Sequence, residues 1–162
     1  MDLISTRAIE VANLALDGLA ARHRVLSANV ANAQTPGYQR SDVVFEDQLK
    51  SIINIEDAKE SVKLANSAGM GINFNSNSLD SVNAVIPTGS DSANMILASD
   101  SYKSFKPVTL ADNSPAVTSD GNNINIEQEM TELMKNGTKY NVLSDVEAKM
   151  FKKMQEVIKG VV

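Results

Sequence analysis

Cysteine and tryptophan are absent from this chain, and histidine occurs once, as His23. Without cysteine there is no disulfide framework, no zinc–thiolate site and no thiol nucleophile. Aromatic residues are scarce, at 4% against 43% hydrophobic residues. The apolar content is therefore mostly Ala, Val, Leu, Ile and Met, which suits helix–helix seams better than a centre built on large aromatic area. No run of about 18 apolar residues occurs, which excludes a membrane-spanning helix. Met1-Asp2-Leu3-Ile4-Ser5 carries an acid where a secretory signal carries positive charge, so no cleaved signal peptide is expected. Basic residues are in deficit: the net charge of −5 over 162 residues argues against nucleic acid as a partner.

Proline is withheld until Pro36, and the stretch before it reads as one helix from about Leu3 to Asn32. Ile4, Ala8, Val11, Ala15, Leu19, Leu26 and Val30 recur at spacings of three, four and seven, and Ala12 and Leu16 widen that stripe. Such a helix is roughly 45 Å long, and its apolar face is too long and narrow to bury against itself. It stops at Thr35-Pro36-Gly37-Tyr38. Pro36 biases Thr35 out of the helical region, and Pro-Gly suits the middle of a type II turn. Tyr38 to Val44 reads as extended. Phe45, Leu49, Ile52 and Ile53 give a short helical stripe, with Asp42 as its expected cap.

From Asn54 to Asn123, Asn, Ser, Asp and Gly dominate, and the remaining prolines, Pro87, Pro107 and Pro115, fall here. Weak strands or ordered loops are expected at 84–86, 95–98 and 107–110, and a tight turn at Asp120-Gly121-Asn122-Asn123. A second long helix follows. Asn125 is its expected cap, with Gln128 placed for a capping box. Its stripe is Ile126, Met130, Leu133, Tyr140, Leu143, Met150, Met154, Val157 and Val161. Asn136-Gly137 interrupts this helix, by a bend or by close approach of a neighbouring backbone, since a mid-helix Gly costs about 1 kcal/mol relative to Ala.

The expected fold is mainly α: long N- and C-terminal helices paired as a coiled-coil hairpin, with a polar, irregular or short-β insert between them. The corresponding division is 1–34, 35–53, 54–123 and 124–162. No residue is assigned a catalytic, cofactor-binding or metal role. His23 reads as a helix-face residue, and Glu127, Glu129 and Glu132 as a solvated helix start. Gly69-Met70-Gly71 lacks the third glycine of a dinucleotide site. Asp120–Asn123 lacks the further ligands of a calcium loop. Asn29, Asn32 and Gln34 either cap the last carbonyls of the first helix or hydrogen-bond across a subunit contact, and the two readings are compatible.

The run from Asn29 to Tyr38 resembles the N-terminal motif of flagellar rod and hook proteins. Gln39–Phe45 and Asp120–Met130 resemble the corresponding parts of the proximal-rod FlgB family. Gln34 stands where Asn is more usual, and Asn136-Gly137 departs from a stretch that relatives keep strongly helical. The resemblance implies a non-enzymatic subunit of the proximal rod of the bacterial flagellar basal body. Such a subunit polymerises helically around the export channel and links the membrane ring to the rest of the rod. It implies export without a cleaved signal through the flagellar type III apparatus, and a place in the periplasm. Implied partners are other rod proteins, the rod-to-ring adaptor, the membrane ring and copies of the chain, with no nucleic acid, small-molecule substrate or cofactor. The assembly motif is then Asn29, Asn32, Thr35, Pro36, Gly37 and Tyr38. Subunit packing falls to Val11, Leu19, Leu26, Met130, Leu133, Tyr140, Leu143, Met150 and Met154. The alternatives are another axial component, or a coiled-coil adaptor or chaperone of a type III secretion system.

Overall fold

A computed structural model describes residues 6–67, 100–112, 114 and 121–160. Ile4, Val161, the Gly69–Gly71 run and the strands expected at 84–86 and 95–98 lie outside them. Helix α1 spans Thr6–Ala31, strand β1 Ser41–Val44, helix α2 Glu46–Ser67, strand β2 Val108–Ala111 and helix α3 Ile126–Ile158. A short 3-10 helix covers Tyr102–Ser104. The described residues are thus mainly α-helical, as expected.

Residues numbered up to 46 and from 106 onward form one compact unit, and residues 47–105 form a second. In the first unit α1 packs on α3. The Asn29 side chain meets Glu129, and the Leu19 carbonyl meets Asn136, so the two helices run antiparallel. Strands β1 and β2 make an antiparallel ribbon with Ser41 opposite Ala111 and Val44 opposite Val108. Val43 points inward and is fully buried, while Val44, Val108 and Leu110 share the exposed face. The strand expected at 107–110 is therefore present, offset by one residue.

The buried side of α1 differs from the expected stripe. Ile9, Ala12, Gly18, Leu19, Leu26 and Asn29 are buried, Ala8 is exposed, and Val11, Ala15 and Val30 are half-buried. Ala12, Leu19 and Leu26 hold as expected and Leu16 is half-buried, but the face is rotated so that Asn29, not Val30, goes inside. Phe45 sets part of this rotation. It packs so closely on α1 that a Cβ built on Gly18 would fall 2.4 Å from its ring. Arg22 lies beside it, its guanidinium carbon 4.7 Å from the ring centroid.

Two local expectations are corrected. The helical stripe that starts at Phe45 is not short: α2 runs 22 residues, to Ser67. Residues 54–67 contain no Gly or Pro, and Ile55, Ala58, Val62 and Ala65 continue the apolar spacing of Leu49 and Ile52, so nothing in the sequence ends the helix at Ile53. Asp42 is not the cap, because it lies within β1 and its Oδ1 accepts from the Val43 N–H at 2.7 Å. In the second unit, Ile52 and Val62 are buried. Glu56 accepts from both Lys59 and Ser101.

Helix α3 runs unbroken through Asn136-Gly137. Asn125 is its cap, with Oδ1 accepting from the N–H groups of Glu127 and Gln128 at 3.1 and 3.2 Å. A cap of this kind is worth about 1 kcal/mol. The backbone contact expected near Gly137 is made instead by its neighbour, since Asn136 Nδ2 donates to the Leu19 carbonyl at 2.9 Å. A Cβ on Gly137 would meet nothing within 4 Å.

Candidate functional site

The end of α1 is built by its own sequence. The Asn32 side chain donates to the Ala28 carbonyl at 2.9 Å, and Thr35 Oγ1 donates to Asn32 Oδ1 at 3.3 Å. The Tyr38 N–H then returns to the Thr35 carbonyl at 3.2 Å, closing a turn with Pro36 and Gly37 in its middle. Gly37 has φ of +70°, which position three of a type II turn requires.

The carbonyls left at this helix end are met from 90 residues away. Asn122, fully buried, aims its Nδ2 at the carbonyls of Asn32, Ala33 and Thr35, at 3.1, 3.1 and 3.0 Å. Its Oδ1 accepts from the Ile124 N–H at 2.8 Å. Gln39 Nε2 donates to the Gly121 carbonyl at 3.0 Å. Gly121 also has positive φ, +85°, and a Cβ there would lie 3.9 Å from the Gly37 Cα. Of the turn expected at 120–123, Asp120 lies outside the described residues, and residues 121–123 form a C-terminal cap for α1.

Beneath this cap lies a buried ion-pair cluster. Asn29 behaves as an extra strand partner for Ser41, donating to its carbonyl at 2.7 Å and accepting from its N–H at 3.1 Å. The same Nδ2 donates to Glu129 Oε2 at 2.8 Å, and Arg40 Nε donates to Glu129 Oε1 at 2.6 Å. Glu129 is 1% exposed, which corrects its reading as part of a solvated helix start. Glu127 on the same turn is exposed. A buried carboxylate persists because both oxygens have donors, one of them cationic. Burial works against the charge of Arg40, but the bond to Glu129 and the nearby Asp42 and Asp112 raise its pKa above the ordinary value. The Arg40 backbone completes the join: its N–H donates to Asn123 Oδ1 at 2.6 Å, and its carbonyl accepts from the Asp112 N–H at 2.8 Å. Asn123 in turn donates to the Asp112 carbonyl at 2.8 Å.

On the opposite side of β1, Arg22 reaches from α1 to the Val43 carbonyl and both carboxylate oxygens of Glu46. Burial pushes the Glu46 carboxyl up, but the hydrogen bond from Arg22, the backbone N–H groups of Glu46 and Phe45 and the Arg22 charge together outweigh it, and the folded pKa lies below the ordinary value. Both ends of β1 are therefore tied to α1 by side chains.

The residues assigned to assembly divide into two groups. Asn29, Asn32, Thr35, Pro36, Gly37 and Tyr38 are together at this joint, and only Asn29 is buried. Of the assigned packing residues, Leu19 and Leu26 are buried within the chain. Val11, Leu133, Leu143, Met150 and Met154 are half-buried, and Met130 and Tyr140 are exposed. Arg22, Arg40, Asp112, Asn122, Asn123 and Glu129 hold the joint without having been assigned to it. A signal for one existed. Counting back by sevens from Met150 gives Leu143, Asn136 and Glu129, so the two polar residues continue the seam that the apolar ones begin. His23 is exposed and lies with Arg24 and Tyr140 along an open groove between α1 and α3. Among the described residues no group of three His, Cys, Asp or Glu could hold a metal ion.

Residues 9–39 match the family model described as "Flagella basal body rod protein". Over 153 residues the chain is 27% identical to flagellar basal body rod protein FlgB of Borreliella burgdorferi, covering 94% of this chain and 96% of that one. Identity to FlgB of Salmonella typhimurium is 29% over 147 residues, 90% of this chain and 88% of that one. A 39-residue stretch is 51% identical to FlgB of Escherichia coli, covering 24% of this chain and 28% of that one.

Proposed function

We propose, for a chain that belongs to the FlgB family of flagellar basal body rod proteins, an assembly mechanism in which the joint sets the geometry and α3 supplies the adhesive face. The chain is a structural component of the proximal rod and not an enzyme. The paired α1 and α3 act as a coiled-coil stave in the wall of a tube around the export channel. Copies of the chain and other rod proteins lie beside it, and the ring adaptor and membrane ring lie at its base. The subunit reaches this site in the periplasm through the flagellar type III apparatus, without a cleaved signal. Among the described residues no helix is long and apolar enough to cross a membrane.

The observation that carries this reading is the set of exposed apolar side chains along α3. Val142 is 59% exposed, Val157 60% and Ile158 77%, with Met134 and Phe151 also exposed. Apolar side chains repeated along one helix and left uncovered in the single chain suit lateral neighbours. Head-to-tail contacts that do not close on themselves build a helical tube. Ordering costs of about 1–2 kcal/mol per residue weigh on two slender helices alone, so neighbours on several sides favour folding at the growing end.

The absence of cysteine makes the test clean. Val142→Cys or Val157→Cys introduces a single thiol. In isolated basal bodies it should cross-link to a rod neighbour or to a second copy. A thiol that stays freely reactive there, with rods complete, would rule out α3 as the adhesive face.

A further inference from the structure

Asn136-Gly137 is the only Asn-Gly pair in the sequence, and the rod reading assigns it no task. We propose that it is a covalent modification site gated by the pairing of α1 with α3. In the open chain it loses ammonia and becomes aspartyl or isoaspartyl. The converted chain can no longer seat α3 on α1.

The chemistry needs only water. The Gly137 backbone nitrogen attacks Cγ of Asn136. The new N–Cγ bond forms as the Cγ–Nδ2 bond breaks, and ammonia leaves with the proton from the Gly137 nitrogen. Water then opens the cyclic imide. Cleavage at Cγ leaves aspartate at 136 with the chain intact. Cleavage at the backbone carbonyl leaves an isoaspartyl link that runs through the former side chain. Nothing is oxidised or reduced. Glycine is the most permissive following residue, because it has no Cβ to hinder its nitrogen.

The folded chain blocks this at three points. Asn136 is 3% exposed. Its Nδ2, the leaving group, is held by the Leu19 carbonyl at 2.9 Å. The Gly137 N–H lies inside a continuous helix, committed to the carbonyl one turn back, and helical backbone angles hold the nitrogen away from Cγ.

Conversion also prevents the pairing that would have protected the pair. Asn136 Oδ1 already has no hydrogen-bond partner in its buried site. An aspartate there replaces the one donor with a second acceptor, so a carboxylate faces the Leu19 carbonyl with no proton between them. A buried charge without a partner is strongly disfavoured. The isoaspartyl form adds a main-chain atom and breaks the helical repeat. Pairing protects the residue, and loss of the residue forbids pairing, so chains that stay open too long are marked and excluded. This holds whatever polymer the chain joins.

The test uses the full chain, incubated at neutral pH in native buffer and in guanidinium chloride, with conversion followed by intact mass and by mapping of the peptide that holds residue 136. Enzymatic methylation reports isoaspartate. Conversion should be fastest at Asn136 in denaturant and at least about tenfold slower in native buffer, the ratio that an opening cost of ~1.4 kcal/mol already gives. Gly137→Ala should suppress conversion in denaturant and keep the native circular dichroism. Asn136→Asp should melt below Asn136→Ala, which loses the same bond without adding charge. Equal rates in the two buffers, or an Asn136→Asp chain that melts like the parent, would overturn the proposal. The rate ratio on the unsubstituted chain decides the matter even if neither variant folds.

Discussion

The two ends of the α1–α3 pair are made of different materials. At the end where α1 stops, Asn29, Glu129 and Asn122 are buried, Arg40 is half-buried, and every one is hydrogen-bonded. Toward the other end of α3, Phe151, Val157 and Ile158 are apolar and exposed. Directional bonds fix a geometry; apolar contact does not select one so strictly. The polar end can therefore hold the register of the pair within one subunit, while the apolar end stays adaptable toward whatever packs beside it.

The contrast is broken most severely at its centre. Glu129→Ala takes one acceptor from both Arg40 and Asn29, which keep Asp112 and the Ser41 carbonyl, and should cost about 3 kcal/mol, read as a lowered urea midpoint. A midpoint that hardly moves would mean that the cluster is solvated in solution. Asn122→Ala uncaps the end of α1 and should cost about 1–3 kcal/mol. Amide hydrogen exchange should rise first at residues 32–38, and a uniform rise along α1 would contradict the local role. Gly137→Ala sharpens the contrast from the opposite direction. It adds a methyl group to open space in a helix and should stabilise the monomer by up to about 1 kcal/mol. A loss of stability there would reveal a packing constraint at the middle of the seam.

Acid should act on the carboxylates held by cations, and more weakly. Glu46 has a folded pKa below its ordinary 4.5. The stability it contributes is complete above the unfolded value and is lost as the pH falls through the folded one. The pair with Arg22 is partly exposed, so salt reduces the effect. Thermal melts should be level above about pH 5 and decline below about pH 4, and Glu46→Gln should flatten part of that decline. Val157→Ser at the apolar end should change monomer stability by no more than about 0.5 kcal/mol and yet impair incorporation into rods. Full motility with this variant would show that the exposed end is not an interface.

Much of the local structure was legible in the residue order. Apolar spacing gave the two long helices, Pro36-Gly37 placed the turn, Asn125 declared the start of α3, and Val108–Leu110 read as a strand. These features depend on neighbours within a few positions, where backbone angles and capping atoms act. The length of α2 was equally local, since Ile55, Ala58 and Val62 continue the spacing of Leu49 and Ile52, but the polar residues interleaved with them masked that continuation past Ile53.

What the sequence alone determined was this set of elements and the Asn29–Tyr38 and Asp120–Met130 segments that resemble rod proteins. Only the tertiary structure decided that the two segments touch, and that Asn29, Asn122, Glu129 and Asn136 go inside. A polar side chain is buried where partners are ready to replace water. Asn29 and its partner Glu129 are 100 residues apart in the chain, and Asn136 and its partner Leu19 are 117 apart. No local pattern contains that distance; antiparallel closure of α1 on α3 supplies it.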